Sequence, residues 1–260
     1  MELQEFEAGM RSEWNDFVRK AKNGNFLFDR GYLEYHADRF EDASLMFRKK
    51  GRLAAVLPAS RHGNEVVSHG GLTFGGMICD TTMTTPSMMD CFESLIGYLR
   101  EREVTTLVYK AVPAFYHQLP ADEDLYALVR LGARLVRRDV GSVVRTSRVP
   151  KYQERRTRAV KKAIKAGVTV GVSDDWGTFW RVLSANLGER HETRPVHSEA
   201  EIRMLVDRFP SNIRLFAATV DGVMLAGTVV FENPTVAHTQ YIATAPEGRR
   251  MGRWIVCSPI

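Results

Sequence analysis

Stretches with an apolar residue every three or four positions alternate along this chain with runs of consecutive apolar or β-branched residues, and turn residues separate the two. Trp14, Phe17, Val18 and Ala21 fall at helical spacing behind Ser12, a predicted N-cap, and Asn23-Gly24-Asn25 ends that helix. The aromatic-rich stretch from Phe26 to His36 predicts a second helix packed on a sheet. Leu45 to Phe47 and Leu53 to Leu57 flank Arg48-Lys49-Lys50-Gly51 as a hairpin, and Val66 to His69 forms a strand that enters the glycine-rich run Gly70 to Gly76. Met89, Phe92, Leu95, Ile96 and Leu99 predict a helix over 86–102, with Pro86 in its first turn. A strand from Thr105, a helix over 122–132 ended by Gly132, and one or two strands over 133–144 follow.

The second half continues in the same way. Pro150 and Gly167 bracket a helix with a thin apolar seam of Ala159, Val160, Ala163 and Ile164. Val168 to Val172 is a strand; 174–187 is a helix carrying Trp176, Phe179, Trp180 and Leu183; 198–209 is a helix with Ser198 and Glu201 spaced as a capping box. Ile213 to Val220 and Val223 to Phe231 form a hairpin around Asp221-Gly222. Val236 to Thr244 is then a strand of β-branched and aromatic residues that Pro246 stops, because proline cannot donate to a ladder. The basic turn Gly248-Arg249-Arg250-Met251-Gly252 comes next, with guanidinium donors suited to an anion such as phosphate or pyrophosphate.

Composition narrows the class. With 260 residues, 44% hydrophobic and 26% charged, the chain is of soluble globular type and long enough for one large domain or two small ones. No apolar run reaches the ~18 residues of a membrane span, and the N-terminus is acidic where a signal peptide is basic. These features predict a cytoplasmic protein. Cys79, Cys91 and Cys257 are too few and scattered for a disulfide framework or a metal knuckle, so all three are read as reduced and the first two as core. A net charge of +5 favours anionic partners.

An internal repeat bears more directly on the fold. Strand, Lys50-Gly51 turn, strand, loop and the strand ending at His69 in the first half correspond to strand, Asp221-Gly222 turn, strand, loop and the strand with His238 in the second. Gly51 is paired with Gly222 and His69 with His238. Helices precede each block, and a glycine-containing bend and a helix follow it.

These residues resemble a family. A three-strand meander whose last strand feeds a Gly/Arg turn and a helix is similar to the core of the GNAT N-acyltransferase superfamily, and the duplication resembles its FemAB-like branch. The resemblance rests more closely on Asn25 to Phe28, Tyr35 to Phe40, Ser68 to Gly76, Arg194 to His197 and His238 to Ala243, and it spans nearly the whole chain. It implies an α/β (α+β) fold of two tandem GNAT-like halves, 1–149 and 150–260, the second incomplete at its C-terminus. It also implies an acyl-CoA co-substrate, acetyl-CoA or longer, with its pyrophosphate at Thr244, Gly248, Arg249, Arg250 and Gly252 and its acyl carbonyl near the strand from Val236 to Thr244. The superfamily pattern Arg/Gln-x-x-Gly-x-Gly/Ala fits Arg249 to Gly252, but Trp254 stands where a small residue is expected. Residues 253–260 do not read as an amphipathic helix, and reverse translation in a neighbouring frame restores an apolar helical pattern. A frameshift or fragment end near residue 252 is therefore expected.

The candidate chemistry lies on and around that strand. His238 can deprotonate an attacking ammonium and Tyr241 can protonate a leaving thiolate, although regular strand alternation puts them on opposite faces unless the strand is bulged. The alternative for both is a packed or hydrogen-bonded core residue. Glu189, His191, Arg194 and His197 concentrate ionisable groups in one loop, read as an acceptor pocket, a solvated loop, or a zinc site whose spacing fits no structural finger; no metal is expected. His69 with its glycines, and Gln240, join the substrate-binding set. Seven lysines and arginines against one acid between Lys151 and Lys165 suit tRNA phosphates or a solvated helix face. The expected activity is acyl transfer from acyl-CoA to a small amine or peptide. An aminoacyl-tRNA-dependent transferase and a non-catalytic small-molecule or RNA-binding module are the alternatives.

Overall fold

The computed structural model of the chain describes residues 1–148, 151–191 and 193–250. They divide into two compact units, Met1–Arg137 with Asn233–Val236, and Arg138–Glu232 with the chain from Ala237.

The first unit runs β1 (Glu2–Glu5), α1 (Arg11–Lys20), α2 (Arg30–Leu33), β2 (Glu41–Asp42), β3 (Leu45–Lys49), β4 (Arg52–Leu57), β5 (Ser60–His62), β6 (Glu65–Val67), β7 (Ile78–Cys79), α3 (Thr85–Glu101), β8 (Thr106–Val108) and α4 (Glu123–Arg130). Its strands form two sheets, ordered β1-β3-β4-β7 and β2-β5-β6-β8, antiparallel except for the pair β6 and β8. The crossover through α3 makes that parallel pair possible. Leu45, Phe47, Leu57 and Met77 from the first sheet's strands and their connections, with Met88, Phe92 and Leu95 from α3, build the core. Cys79 and Cys91 lie in it as free thiols, which burial pushes up to about 12.

Three sequence expectations differ here. The stretch from Phe26 forms a single tight turn, Phe26–Phe28, and the four-residue α2, because Asn25 accepts from the Leu27 N–H and Asp29 from the Gly31 N–H. Two local caps thus start two separate turns. Helix α1 begins at Arg11 with Met10 at its N-cap, so Ser12 sits in the first turn and not at the cap. Residues 133–144 form no strand; all are exposed and none is paired, among the described residues, with a neighbouring strand.

The second unit runs α5 (Glu154–Lys165), β9 (Thr169–Val172), α6 (Trp176–His191), α7 (Glu199–Arg208), β10 (Ile213–Val220), β11 (Val223–Glu232), β12 (Ala237–Thr244) and α8 (Pro246–Arg250). Its sheet is an antiparallel meander ordered β12-β11-β10-β9. Helix α6 covers one face through Phe179 and Trp180, and Gly227 makes this approach possible, since a Cβ there would lie 2.4 Å from the Phe179 ring. On the other face, Ala163 of α5 joins Val168, Ala218, Leu225 and Ala226. The predicted capping box is present in full: Ser198 Oγ accepts from the Glu201 N–H at 3.2 Å and Glu201 accepts from the Ser198 N–H at 2.7 Å.

The two hairpin turns match residue for residue. Lys50 and Gly51 have φ of 53° and 74°, and Asp221 and Gly222 have 47° and 78°, so each turn places two successive residues in the left-handed region. No described helix is long and apolar enough to cross a membrane.

Candidate functional site

Strand β12 ends its sheet: among the described residues it pairs with β11 alone. Its register breaks once. Phe231 stands opposite His238 and Val230 opposite Thr239, but Val229 stands opposite Tyr241, so Gln240 is an extra, bulged residue. Positions 229 and 231 of β11 share a face, and the bulge therefore brings His238 and Tyr241 to the same side of the sheet. An unbulged strand would separate them.

Tyr241 faces α6, with the Trp180 ring set edge-on at 5.4 Å. Its hydroxyl lies 2.6 Å from Nδ1 of the buried His197 and accepts from the His197 backbone N–H at 3.4 Å. Trp180 Nε1 donates to the His197 carbonyl at 3.2 Å. His197 immediately precedes the capping box of α7, so the start of that helix fixes its position. Burial raises the Tyr241 pKa, and hydrogen bonds from the His197 N–H and the Gln240 side chain oppose that shift. His238 is an exposed residue whose pKa is lowered by partial desolvation of its ring. Tyr241 thus finds its partner in His197, which the sequence pattern assigned to an acceptor pocket, and no bond joins it to His238 among those described.

A second cluster lies where β12 hands over to α8. Asn186 of α6 donates to the Thr244 carbonyl at 3.1 Å and accepts from Arg249, which also meets Glu189 at 3.3 Å. Gly248 lies within α8 and does not precede it; a Cβ there would come 2.4 Å from the Leu225 carbonyl oxygen, so glycine lets α8 pack directly on β11. Thr178, Arg181, Asn186, Glu189, Pro246 and Arg249 line a cavity of about 380 Å³ beside this junction. Asn186 was not anticipated; nothing in a lone asparagine on a helix signals a partner 63 residues away.

The remaining predicted residues are dispersed. Arg194 is exposed in the loop before α7, His191 closes α6 and Arg250 closes α8. Gly252, and with it the expected break in frame, lies outside the described residues. His69 belongs to the first unit and is 4% exposed there, its ring stacked 5.1 Å from that of His36 and flanked by Phe40. It has a left-handed φ of 54°, and Lys110 Nζ donates to its carbonyl at 2.6 Å. Burial, reinforced by His36, pushes the His69 pKa down to about 3. The strand that leads to it ends at Val67, whereas His238 lies inside β12, so the two histidines paired by the repeat occupy different backbone environments. Among the described residues no group of three or more His, Cys, Asp and Glu gathers to hold a metal ion.

The second unit is thus an antiparallel meander whose bulged end strand passes into a short helix, and the first is a unit of mixed sheets and helices. Residues 150–256 match the family model described as "Acetyltransferase (GNAT) domain". That match takes in the whole of the second unit's meander, and likeness of fold extends to the rest of the chain. A solved structure described as FemX superposes with a TM-score of 0.61 at 13% identity, covering 96% of this chain and 82% of that one. The DUF2156 domain at the C-terminus of a protein described as a lysylphosphatidylglycerol synthetase, from Agrobacterium fabrum, gives a TM-score of 0.53 at 14% identity, over 94% of this chain and 72% of that one. No curated protein matches the chain by sequence.

Proposed function

We propose that this chain is an N-acyltransferase that moves an acyl group from acyl-CoA to the amine of a small molecule or peptide by direct attack, acting in the cytoplasm as two GNAT-like halves, 1–149 and 150–260. The observation that carries this reading is the bulged β12, which among the described residues pairs with β11 alone, within the region that matches the GNAT domain. The backbone N–H and C=O groups along the edge of that strand suit the amide groups of a pantetheine arm, and the bulge turns His238 and Tyr241 to one side, where proton transfer to and from an attacking amine is needed. When bound, acyl-CoA supplies a thioester carbonyl open to the amine.

Thr244, Gly248, Arg249, Arg250 and Gly252 would hold the pyrophosphate, as the family resemblance implies. Arg249 first has to give up its contacts with Glu189 and Asn186, and Glu189 opposes a phosphate placed beside it. Glu189, His191, Arg194, His197 and Gln240 then border the acceptor side. Positioning of amine and thioester supplies most of the rate, with proton removal from the amine as the second contribution.

Thiol release from acetyl-CoA and longer acyl-CoAs in the presence of a panel of amines tests this reading, with a thermal-shift titration alongside. Amine-dependent release for at least one acyl chain length is expected. No release and no thermal shift with any acyl-CoA would overturn it.

A second reading, with aminoacyl-tRNA as the donor, draws on the exposed basic face of α5, to which Arg155, Arg156, Arg158, Lys161, Lys162 and Lys165 contribute. tRNA binding whose affinity falls steeply with salt, without a response to acyl-CoA, would favour it. Binding without turnover would instead identify a non-catalytic module.

A further inference from the structure

The structure assigns His197 a role that its place in the acceptor loop does not suggest: we propose that it is a positioning residue that takes the proton of Tyr241, so that the tyrosine oxygen serves as the base for the attacking amine. The inference rests on the acyltransferase reading and deepens it.

Hydrogen-bond bookkeeping at the Tyr241 oxygen sets the direction. A phenolic oxygen offers two lone pairs and one hydrogen. The His197 backbone N–H donates to that oxygen at 3.4 Å and takes one of its lone pairs, which leaves the second for the N–H of an attacking amine. In this relay the short contact, 2.6 Å to His197 Nδ1, carries the tyrosine's own hydrogen, because Nδ1 is the acceptor set against that hydroxyl, and the ring proton sits on Nε2. This is the arrangement of a base backed by a second base, in which the outer group becomes competent as the inner one accepts its proton. The pairing is preorganised from three sides. Trp180 fixes the His197 carbonyl, the capping box of α7 fixes the adjoining backbone, and Trp180 also braces the Tyr241 ring. Among the described residues the pair is bordered by Gln240 and the titratable His238 on the same strand, Trp180 on α6 and the charged Glu201 on α7.

In the step itself the amine nitrogen bonds to the thioester carbon. Its proton passes to the Tyr241 oxygen as the Tyr241 proton passes to His197 Nδ1. The carbon–sulfur bond then breaks with its electron pair on sulfur. Amide, thiolate and an imidazolium result, and the imidazolium returns its proton to the Tyr241 oxygen as the tyrosine passes its own to the leaving thiolate. Because burial raises the Tyr241 pKa, the phenol cannot stay ionised alone at neutral pH, which is why the histidine behind it matters.

The test uses Tyr241→Phe, His197→Asn and the double variant. Asparagine keeps a polar group near the Nδ1 position but cannot take a proton. Each single variant is expected to lose on the order of 10²–10⁴-fold in kcat with acyl-CoA affinity retained, and the double variant should be no slower than the worse single one. The acid limb of the wild-type pH profile should vanish in His197→Asn. A His197→Asn protein with wild-type rate and profile, or losses that multiply in the double variant, would overturn the proposal. NMR of the imidazole nitrogens supplies a readout without substrate: Nδ1 should be unprotonated and should shift in Tyr241→Phe, and a protonated Nδ1 sinks the relay. A wild-type protein inactive toward every acyl-CoA defeats the acyltransferase reading instead, so the two failures are distinguishable.

Discussion

The repeat sets β6 against β12, but the two strands end in different physical states: β6 joins the sheet β2-β5-β6-β8 and does not pair with β4, so the first half forms no three-strand meander, whereas β12 completes one by pairing with β11. In the first unit β6 stops at Val67, and the chain folds back through His69 and a run of glycines before it resumes pairing as β7. That loop is held at several points: Gly71 rests on His36, Gly75 on the Ser68 carbonyl, and Lys110 holds two loop carbonyls. In the second unit β12 runs eight residues with one bulge, pairs among the described residues with β11 alone and exposes His238. One copy of the motif has been sealed and the other left available. A histidine in each copy does not make two sites; burial and backbone conformation decide which histidine can exchange protons with a ligand.

The sealed copy should break first. A Cβ at Gly75 would stand 2.1 Å from the Ser68 carbonyl oxygen, a backbone atom that cannot step aside. Gly75→Ala should cost on the order of 3 kcal/mol or more in chemical denaturation. Gly188, on α6, meets nothing within 4 Å, and Gly188→Ala should instead add up to about 1 kcal/mol through helix propensity. Comparable small effects for the two would mean that the glycine loop is not packed as described.

Acid should separate the two copies next. His69 is held neutral, with its pKa pushed from 6.5 to about 3, so the unfolded chain takes up a proton that the folded unit refuses. The contribution of the neutral ring is complete above pH 6.5 and is lost as pH falls from there toward 3. The slope approaches about 1.4 kcal/mol per pH unit from this one group. His69→Asn, a residue that tolerates a left-handed φ, should lower stability at neutral pH and flatten the slope. Denaturation curves across that window check it. His238 shifts in the same direction but is exposed, so substituting it should leave the pH dependence of stability nearly unchanged.

Much of this contrast could be read from residue order, and part of it could not. The turns, the capping box and the strands from Ile213 to Thr244 follow from local rules, because Asp221-Gly222 and Ser198 with Glu201 carry their own geometry. The need for a bulge if His238 and Tyr241 were to share a face was legible too, but not that Gln240 is the extra residue. That choice is made by pairing with Val229 and Val230 across the sheet. The link from Tyr241 to His197 joins residues 44 apart and depends on how α6 and α7 meet the sheet, which no spacing rule reports. Residues 133–144 failed for the opposite reason: their β-branched pattern promised strands, but a strand needs a partner and none is present among the described residues.

The open copy should be more sensitive at its exit than along its length. Gly248→Ala would bring a Cβ to 2.4 Å from the Leu225 carbonyl and lever α8 away from β11. A loss of about 2 kcal/mol is expected, together with weaker acyl-CoA binding in a thermal-shift titration. A stability loss without a change in acyl-CoA binding would detach α8 from the donor site while leaving β12 in place.

The smallest effect tests whether the two copies are equivalent where their geometry agrees best. Both hairpin turns place two residues at positive φ, but one begins with Lys50 and the other with Asp221. Lysine has no short polar group to stabilise a left-handed backbone, whereas aspartate does, and the conformation costs an ordinary residue roughly 1 kcal/mol. Lys50→Asp should therefore stabilise the first unit by about 0.5 kcal/mol, and Asp221→Lys should destabilise the second by a similar amount. Both residues lie in exposed turns, so little packing complicates the exchange. Opposite signs of similar size would establish that the turns are interchangeable parts and that the divergence of the two copies begins after them, at the third strand. Equal signs would place that divergence earlier, in the turns themselves.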